Sequence, residues 1–190
     1  MLKLAHIPEI QRRIALYDDE VAYKELFCLF YKPLLRFAYT FSHSHEMSEE
    51  IVSDVFISIW QRRSSLEAIH NLKVYLYIST KNTALKYLLK YQKQVSITID
   101  DLQVELESHY NNPEQLMMTA EMLARVEQAI THLPPRCKLV FKLIKEDGLR
   151  YKEVAEILGI SVKTIDNQLA IALGKIGKAL NVNLQKVVRF

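Results

Sequence analysis

The sequence predicts an all-α fold: two small helical domains joined by an acidic linker, with a helix-turn-helix in the C-terminal domain. Three observations support this prediction. Apolar residues recur at helical spacing over most of the chain, and strand-like alternation appears only briefly, at residues 96–100. Glycine is scarce, with four in 190 residues and none before Gly148. Charge is also segregated along the chain, which divides it into three blocks.

The charge blocks define the expected domains. Residues 1–95 carry a net charge of +3, residues 96–118 carry −5, and residues 119–190 carry +5. Helical periodicity fades in the acidic block, where Asn-Asn-Pro at residues 111–113 interrupts the chain. We therefore expect two domains and the linker between them, at residues 15–95, 119–185 and 96–118.

Composition excludes several classes of protein. The chain has no run of about 18 apolar residues, so we predict no membrane-spanning helix, and we see no signal peptide at its start. Cys28 and Cys137 are isolated and far apart, which favours a reduced, cytoplasmic chain. His43 and His45 have no third ligand nearby in the sequence. We therefore expect a cytoplasmic protein with no bound metal and no cofactor.

Residues 151–180 have the pattern of a helix, a tight turn and a longer helix. Gly159 supplies the positive φ that the turn needs, and Ser161 is a suitable N-cap for the second helix. The faces expected to be buried contain Val154, Ala155, Leu158, Val162, Ile165, Leu169, Ala172, Leu173, Ile176 and Leu180. The opposite face of the second helix contains Lys163, Thr164, Asn167, Ile171, Gly174 and Lys178. A polar, mildly basic face after a capped turn predicts a DNA-reading helix.

Two long helices are predicted in the N-terminal half. The first runs from Asp18 past Pro33, where we expect a break or the first turn of a helix, and a loop follows at residues 43–45. The second spans residues 48–60, and its apolar stripe contains Ile51, Val52, Val55, Phe56 and Ile59. Its outer face contains Glu49, Glu50, Ser53, Asp54 and Gln61. From composition alone, such an acidic face is usually a solvated surface.

A basic helix is predicted after a polar loop. Between Ala68 and Ile99 the chain has no acidic residue and five lysines, Lys73, Lys81, Lys86, Lys90 and Lys93. Tyrosines are interleaved with them, and we assign three of these to the core: Tyr75, Tyr77 and Tyr87. Lysine neutralises phosphate, and an aromatic ring offers a face on which an unpaired base can stack. The run therefore predicts contact with a nucleic acid.

Taken in order, these segments resemble the extracytoplasmic-function (ECF) group of bacterial RNA polymerase sigma factors, over about residues 15–180. The segment SEEIVSDVFISIW resembles the region 2 helix that docks on the polymerase clamp. A second segment, YLYISTKNTALKYLLK, is similar to the helix that recognises and helps to melt the −10 element. A third, LPPRCKLVFKLIKEDGLRYKEVAEILGISVKTIDNQLAIALGKI, is similar to region 4, which reads the −35 element.

The resemblance implies three sets of site residues. Polymerase docking would use Glu49, Glu50, Ser53, Asp54 and Ile57. The −10 element would be bound by a loop at residues 64–71 and by the basic helix, through Asn71, Lys73, Lys81, Asn82, Lys86 and Lys90. The −35 element would be bound by Arg150, Lys152, Ser161, Lys163, Thr164, Asn167, Gln168, Lys175 and Lys178. Of these, the residues expected nearest the bases are Lys163, Thr164, Asn167 and Gln168, and those expected on phosphates are Arg150, Lys152, Lys175 and Lys178.

The resemblance also implies the function and the partners. The chain would bind core RNA polymerase, recognise the −35 duplex and the non-template strand of the −10 element, open the duplex, and leave after initiation. An anti-sigma factor is a further implied partner. The chain is not expected to be an enzyme or to have a small-molecule substrate. The acidic linker would thread through the polymerase channel that RNA otherwise occupies.

The sequence departs from the family pattern at three positions. Ser53 stands where the docking helix usually carries Gln, although the acid at Asp54 is kept. Ile171 and Gly174 stand where the reading helix often carries basic residues. We therefore expect weaker phosphate contact there, with Ile171 placed to touch a thymine methyl group.

Two other functions are compatible with parts of the sequence. A helix-turn-helix transcription regulator would act without a core-polymerase role, but it would leave the basic run unexplained. A recombinase would need a nucleophilic Ser or Tyr beside an arginine cluster, or carboxylates that hold metal ions. The only candidates for such groups are Arg62-Arg63 and Asp100-Asp101. Core-polymerase binding separates a sigma factor from a regulator, because a sigma factor should bind core polymerase first and a regulator would bind DNA alone.

Overall fold

The computed structural model describes residues 6–91 and 120–180. The chain forms two compact units, Met1–Ser96 and Ile97–Phe190. All regular secondary structure within the described ranges is helical, as the sequence predicts. None of the helices described there combines the length and the apolar character that crossing a bilayer requires. The predicted linker lies outside the described residues.

In its described part, the first unit contains four α-helices and one short 3₁₀ helix: α1 (Ile7–Tyr17), α2 (Glu20–Ser42), α3 (His45–Gln61), the 3₁₀ helix (Arg63–Ala68) and α4 (Leu72–Tyr91). Helix α2 packs against α3 and α4, which also pack against each other. Helix α1 packs against the 3₁₀ helix and α2. The predicted stripe of α3 is fully buried, which confirms Ile51, Val52, Val55, Phe56 and Ile59.

Helix α2 supplies the other half of this core. Its buried side chains recur every three or four residues and include Ala22, Leu26, Phe30, Leu34 and Phe37. The helix continues through Pro33, so the predicted break is wrong. Proline removes one backbone hydrogen bond, but the buried side chains on both sides of Pro33 hold the segment helical. Helix α3 also begins earlier than predicted, because Ser44 accepts the backbone N–H of Met47 at 3.3 Å and caps it.

Helix α1 was not predicted. Ile10, Gln11 and Ile14 are buried on one of its faces, and Pro8 lies in its first turn. The apolar residues Ile7, Ile10 and Ile14 have helical spacing, so the signal was present in the sequence. The first unit therefore begins before residue 15, where we expected the domain to start.

Asp19 fixes the corner between α1 and α2. Its carboxylate accepts the backbone N–H groups of Val21 at 2.9 Å and Ala22 at 3.0 Å, which makes it the N-cap of α2. Arg13 of α1 forms an ion pair with the same carboxylate at 2.8 Å. The hydrogen bond from Ala22 and the contact with Arg13 both lower the pKa of Asp19.

The described part of the second unit contains four helices: α5 (Ala120–Thr131), α6 (Pro135–Lys145), α7 (Tyr151–Leu158) and α8 (Val162–Ala179). Helix α8 packs against the other three, and it buries most of the predicted stripe: Ile165, Leu169, Ala172, Leu173 and Ile176. Val162 is 41 % exposed, so its predicted burial is wrong. It is the first residue of α8 and lies beyond the packed stripe, which starts at Ile165. In α7, Ile157 is fully buried, whereas Leu158 is only half-buried.

The turn of the helix-turn-helix forms as the sequence predicts. Gly159 adopts φ of 70°, and the N–H groups of Gly159 and Ile160 both bond to the carbonyl of Ala155. Ser161 then caps α8, because its hydroxyl accepts the backbone N–H of Thr164 at 3.1 Å. These contacts fix where α8 begins.

The cap at Asp19 gives a pH-dependent prediction. Asn at an N-cap still accepts the helix N–H groups, so Asp19→Asn removes mainly the charge. Because the folded state lowers the pKa of Asp19, its charge stabilises the first unit above about pH 4, and this stabilisation is lost as pH falls through the lowered pKa. The difference in unfolding free energy between the parent and Asp19→Asn should therefore shrink in acid. Urea unfolding followed by fluorescence of Trp60, the only tryptophan, measures it. If the difference in unfolding free energy between the two proteins stays constant from pH 7 to pH 2, the charge of Asp19 does not stabilise the folded state.

Candidate nucleic-acid and protein interfaces

The outer face of α3 is exposed and acidic. Glu49, Glu50, Ser53 and Asp54 are all exposed, and Ile57 adds an apolar side chain that is 52 % exposed. The carboxylate of Asp54 accepts a hydrogen bond of 2.7 Å from the hydroxyl of Tyr87 on α4. All five predicted docking residues therefore lie at the surface, and one of them is linked to the basic helix.

The outer face of α4 carries a basic stripe. Asn82, Lys86 and Lys90 are exposed and lie four residues apart, which places them on one side of the helix. Leu85 and Leu89 flank this stripe and are 36 % and 73 % exposed. The stripe thus combines cations, an amide and apolar side chains.

Two predicted −10 residues lie off this stripe. Lys73 is nine residues from Asn82, which places it on the opposite side of α4, and it is half-buried. Lys81 is also half-buried, and desolvation lowers the pKa of its ammonium group. The structure therefore does not bring Lys73 together with Asn82. Lys93 lies outside the described residues.

The tyrosines of α4 have different environments. Tyr77 is 1 % exposed, and its ring centroid lies 5.1 Å from that of Phe37, so its core assignment is confirmed. Tyr87 is half-buried and bonds to Asp54, so its core assignment is wrong, as is that of Tyr75. Tyr75 is also half-buried, and it lies two turns before Asn82 on the same side of the helix. The seven-residue spacing between Tyr75 and Asn82 could have placed this ring beside the stripe from the sequence alone.

The loop between α3 and α4 is exposed but fixed at its ends. The guanidinium of Arg63 forms an ion pair with Asp18 and lies over the ring of Trp60, 4.8 Å from its centroid. At the other end, the side-chain oxygen of Asn71 accepts the backbone N–H of Val74 at 3.1 Å, in the first turn of α4. Asn71 therefore has a structural role that the sequence did not reveal.

The outer face of α8 presents the predicted reading residues. Lys163, Asn167, Ile171 and Lys178 are exposed, with Ile171 at 46 %. Thr164 is half-buried, and its hydroxyl lies 2.8 Å from that of Ser161. Polar and apolar side chains thus run along one side of the helix from its capped N-terminus.

Other predicted −35 residues lie at the margins of that face. Gln168 is half-buried, and its side-chain oxygen accepts a 3.0 Å hydrogen bond from the thiol of Cys137 on α6. Burial raises the pKa of this thiol, although the charge of Lys175 acts in the opposite direction. Lys175 lies on the α5 side of α8, in a groove shared with Arg125 and His132. The two remaining cations, Arg150 and Lys152, are exposed at the start of α7.

Comparison with known proteins identifies both units. Residues 26–94 match the model of Sigma-70 region 2, and residues 123–176 match that of Sigma-70, region 4. The chain is 27% identical to the ECF RNA polymerase sigma-E factor of Escherichia coli in an alignment of 147 residues that covers 74% of this chain and 75% of that protein. It is 23% identical to the RNA polymerase sigma-H factor of Pseudomonas aeruginosa in an alignment of 175 residues that covers 88% of this chain and 91% of that protein.

Two solved structures have the same fold. CnrH, in complex with the cytosolic domain of CnrY, is 19% identical and aligns with a TM-score of 0.54 over 92% of this chain and 96% of that one. The sigma factor RpoE from Bartonella quintana, in complex with the anti-sigma factor NepR, is 22% identical and aligns with a TM-score of 0.53 over 85% and 98%.

With a region 2 and a region 4 in order along more than half of its length, the chain belongs to the sigma-70 family. Within that family it is an ECF sigma factor, as the resemblance implied. It therefore acts with core RNA polymerase in promoter recognition, DNA melting and transcription initiation.

Proposed function

We propose that this sigma factor divides promoter recognition among three surfaces: α8 for the −35 duplex, α4 with its preceding loop for the −10 strand, and α3 for core polymerase. The observation that carries the proposal is the two-sided character of α8. One side is fully buried from Ile165 to Ile176, so the polar side that starts at the Ser161 cap faces outward. The proposed domains are residues 15–95, extended by α1, and residues 119–185, joined by the acidic linker.

At the −35 element, the exposed side of α8 would enter the major groove. Asn167 can form two hydrogen bonds with adenine, and Lys163 can bond to guanine. Ile171 is exposed enough to contact a thymine methyl group. Phosphates would be neutralised by Lys178 in the last turn of α8 and by Arg150 and Lys152 at the start of α7. These contacts would fix the position of α8 on the duplex.

At the −10 element, the surface must hold bases that have left the stack, which costs a few kcal/mol per base. Lys86 and Lys90 would hold the backbone of the non-template strand. Asn82, one turn before Lys86, can bond to a base edge. Tyr75 offers an aromatic face for stacking, and Leu89 offers apolar contact. The loop at residues 64–71 would receive a base beside them.

Core polymerase would bind the outer face of α3. The exposed carboxylates of Glu49, Glu50 and Asp54 would attract a basic surface of the partner. The exposed side chain of Ile57 would add apolar surface that is buried on binding. The proposal also includes an anti-sigma partner, since the related RpoE of Bartonella quintana was solved with one. It further includes a cytoplasmic location, no enzymatic activity and no small-molecule substrate or cofactor.

Polymerase binding should depend on the charge of Asp54. Asp54→Arg reverses a charge on an exposed side chain, so we expect the unfolding free energy to change by under about 0.5 kcal/mol beyond the loss of the bond from Tyr87. Affinity for core polymerase should fall by tenfold or more. Tyr87→Phe is the matched control, because it removes the same hydrogen bond and keeps the carboxylate. Equal core affinity for Asp54→Arg and the parent, measured by fluorescence anisotropy, would exclude α3 as the docking surface.

Variants of α4 should affect promoter opening in two different ways, one for a residue that reads bases and one for a residue that binds phosphate. Asn82→Ala should change the preference for −10 sequence, because an amide can bond to a base edge. Lys86→Ala should weaken opening on all promoters alike, because Lys86 is proposed to contact only the backbone of the non-template strand. Permanganate footprints of the melted region, compared across single-base variants of the −10 element, distinguish the two effects. If both variants open every promoter as the parent does, the stripe is not the −10 surface.

Recognition of the −35 element should show the same division on α8. Asn167→Ala should relax preference at one base pair by ~1–3 kcal/mol, whereas Lys178→Ala should weaken all sequences and reduce the salt slope by about 0.9. Ile171→Arg should raise affinity for all sequences and steepen that slope. Holoenzyme binding to −35 variants over a salt series measures all three changes. The same sequence-independent loss in Asn167→Ala and Lys178→Ala would show that this face does not read bases.

A further inference from the structure

The loop that joins α3 to α4 is supported by α1, a helix that is not part of any of the three proposed binding surfaces. Its exposed residues are Ser64, Ser65, Glu67, Ala68, His70 and Asn71. Beneath them Leu66 is 1 % exposed and faces the core. Helix α1 packs closely against this segment. An exposed loop with so much support below it has a defined shape before any ligand arrives.

Gln11 of α1 makes the direct contact. Its side chain is almost completely buried, and its amide nitrogen donates to two loop carbonyls, of Leu66 at 2.5 Å and of Ile69 at 2.7 Å. Carbonyl oxygens only accept, so the nitrogen of the amide must face the loop. One side chain thereby holds two points of the loop three residues apart.

The corner after α1 provides a second attachment. Asp18 has a left-handed conformation with φ of 49°, and its carboxylate binds the guanidinium of Arg63 at the start of the loop. The second contact of this pair, from Arg63 to the other oxygen of Asp18, is 3.1 Å long. Both the start and the middle of the loop are therefore attached to α1 and its corner.

We propose that α1 is a brace for the loop, and that Gln11 is a positioning residue for recognition of the −10 element. The proposal rests on the proposed function of the loop as the receiver of an unstacked base. A loop that must order itself on binding loses affinity and selectivity to conformational entropy, whereas a pre-formed loop does not. The two bonds from Gln11 remove that freedom before the base arrives.

Gln11→Met and Gln11→Glu test the brace in the full-length chain bound to core polymerase. Methionine keeps the length and removes the donor, and glutamate keeps the shape but carries only acceptors when ionised. Tyr23→Phe is the matched control, since it removes another bond from a side chain to a backbone carbonyl of this unit, that of Phe56 at 2.8 Å. Opening rates are measured on promoters that carry each of the four bases in turn at every −10 position. The ratio of the rate with the preferred base to the rate with another base is the discrimination at that position. Assays are run well below the unfolding temperature of each variant, on complexes titrated for active holoenzyme.

We expect both Gln11 variants to reduce discrimination at one −10 position by roughly 5- to 100-fold, the range that one good base contact provides. Core affinity and −35 preference should stay at parental values, and Tyr23→Phe should keep full discrimination. Parental discrimination in Gln11→Met and Gln11→Glu would overturn the proposal and leave Gln11 a purely structural residue. Ser64→Ala and His70→Ala test the loop itself. If these change no −10 preference, the loop does not read the promoter, and the proposed function of the loop fails separately from the brace.

Discussion

The burial of one apolar stripe per helix is the constraint on which both units depend. In the first unit, α3 is fixed between α2 and α4 by five fully buried side chains, each contributing about 1.5–3 kcal/mol. In the second unit, α8 is fixed in the same way from Ile165 to Ile176. Because each stripe determines the rotation of its helix, it also determines which side chains face outward. The acidic face of α3 and the polar face of α8 are consequences of that burial.

Rotation alone does not position a functional surface; the ends of each element must also be fixed. Ser161 fixes the start of the reading helix, and Asp19 fixes the corner from which α2 departs. Gln11 and Asp18 extend this principle to a loop, by attaching it to a helix that touches no proposed ligand. Ser161, Asp19 and Gln11 bond to backbone groups, whereas Asp18 binds the guanidinium of Arg63.

Much of this arrangement follows from local sequence. The spacing of apolar residues predicted the all-α fold, the buried stripe of α3 and the outward face of α8, because each of these features depends only on the periodicity of a helix. The break expected at Pro33 failed because packing on both sides outweighs one missing hydrogen bond. Contacts between distant segments, such as those of Gln11 and of Asp54 with Tyr87, have no local signature, and no periodicity predicts them. The opposite placement of Lys73 was predictable, since its spacing from Asn82 is fixed by the helix.

Transcription by purified core polymerase, with and without this protein, is the decisive measurement of sigma factor function. Core polymerase alone should start without specificity, and adding the protein should produce defined start sites preceded by a shared two-part element. Mapping the 5′ ends of the transcripts reads both elements at once, and a chain lacking residues 119–190 should lose the upstream one. Specific binding of the protein to DNA without core polymerase, together with unchanged transcript ends when the protein is added, would show that it is not a sigma factor.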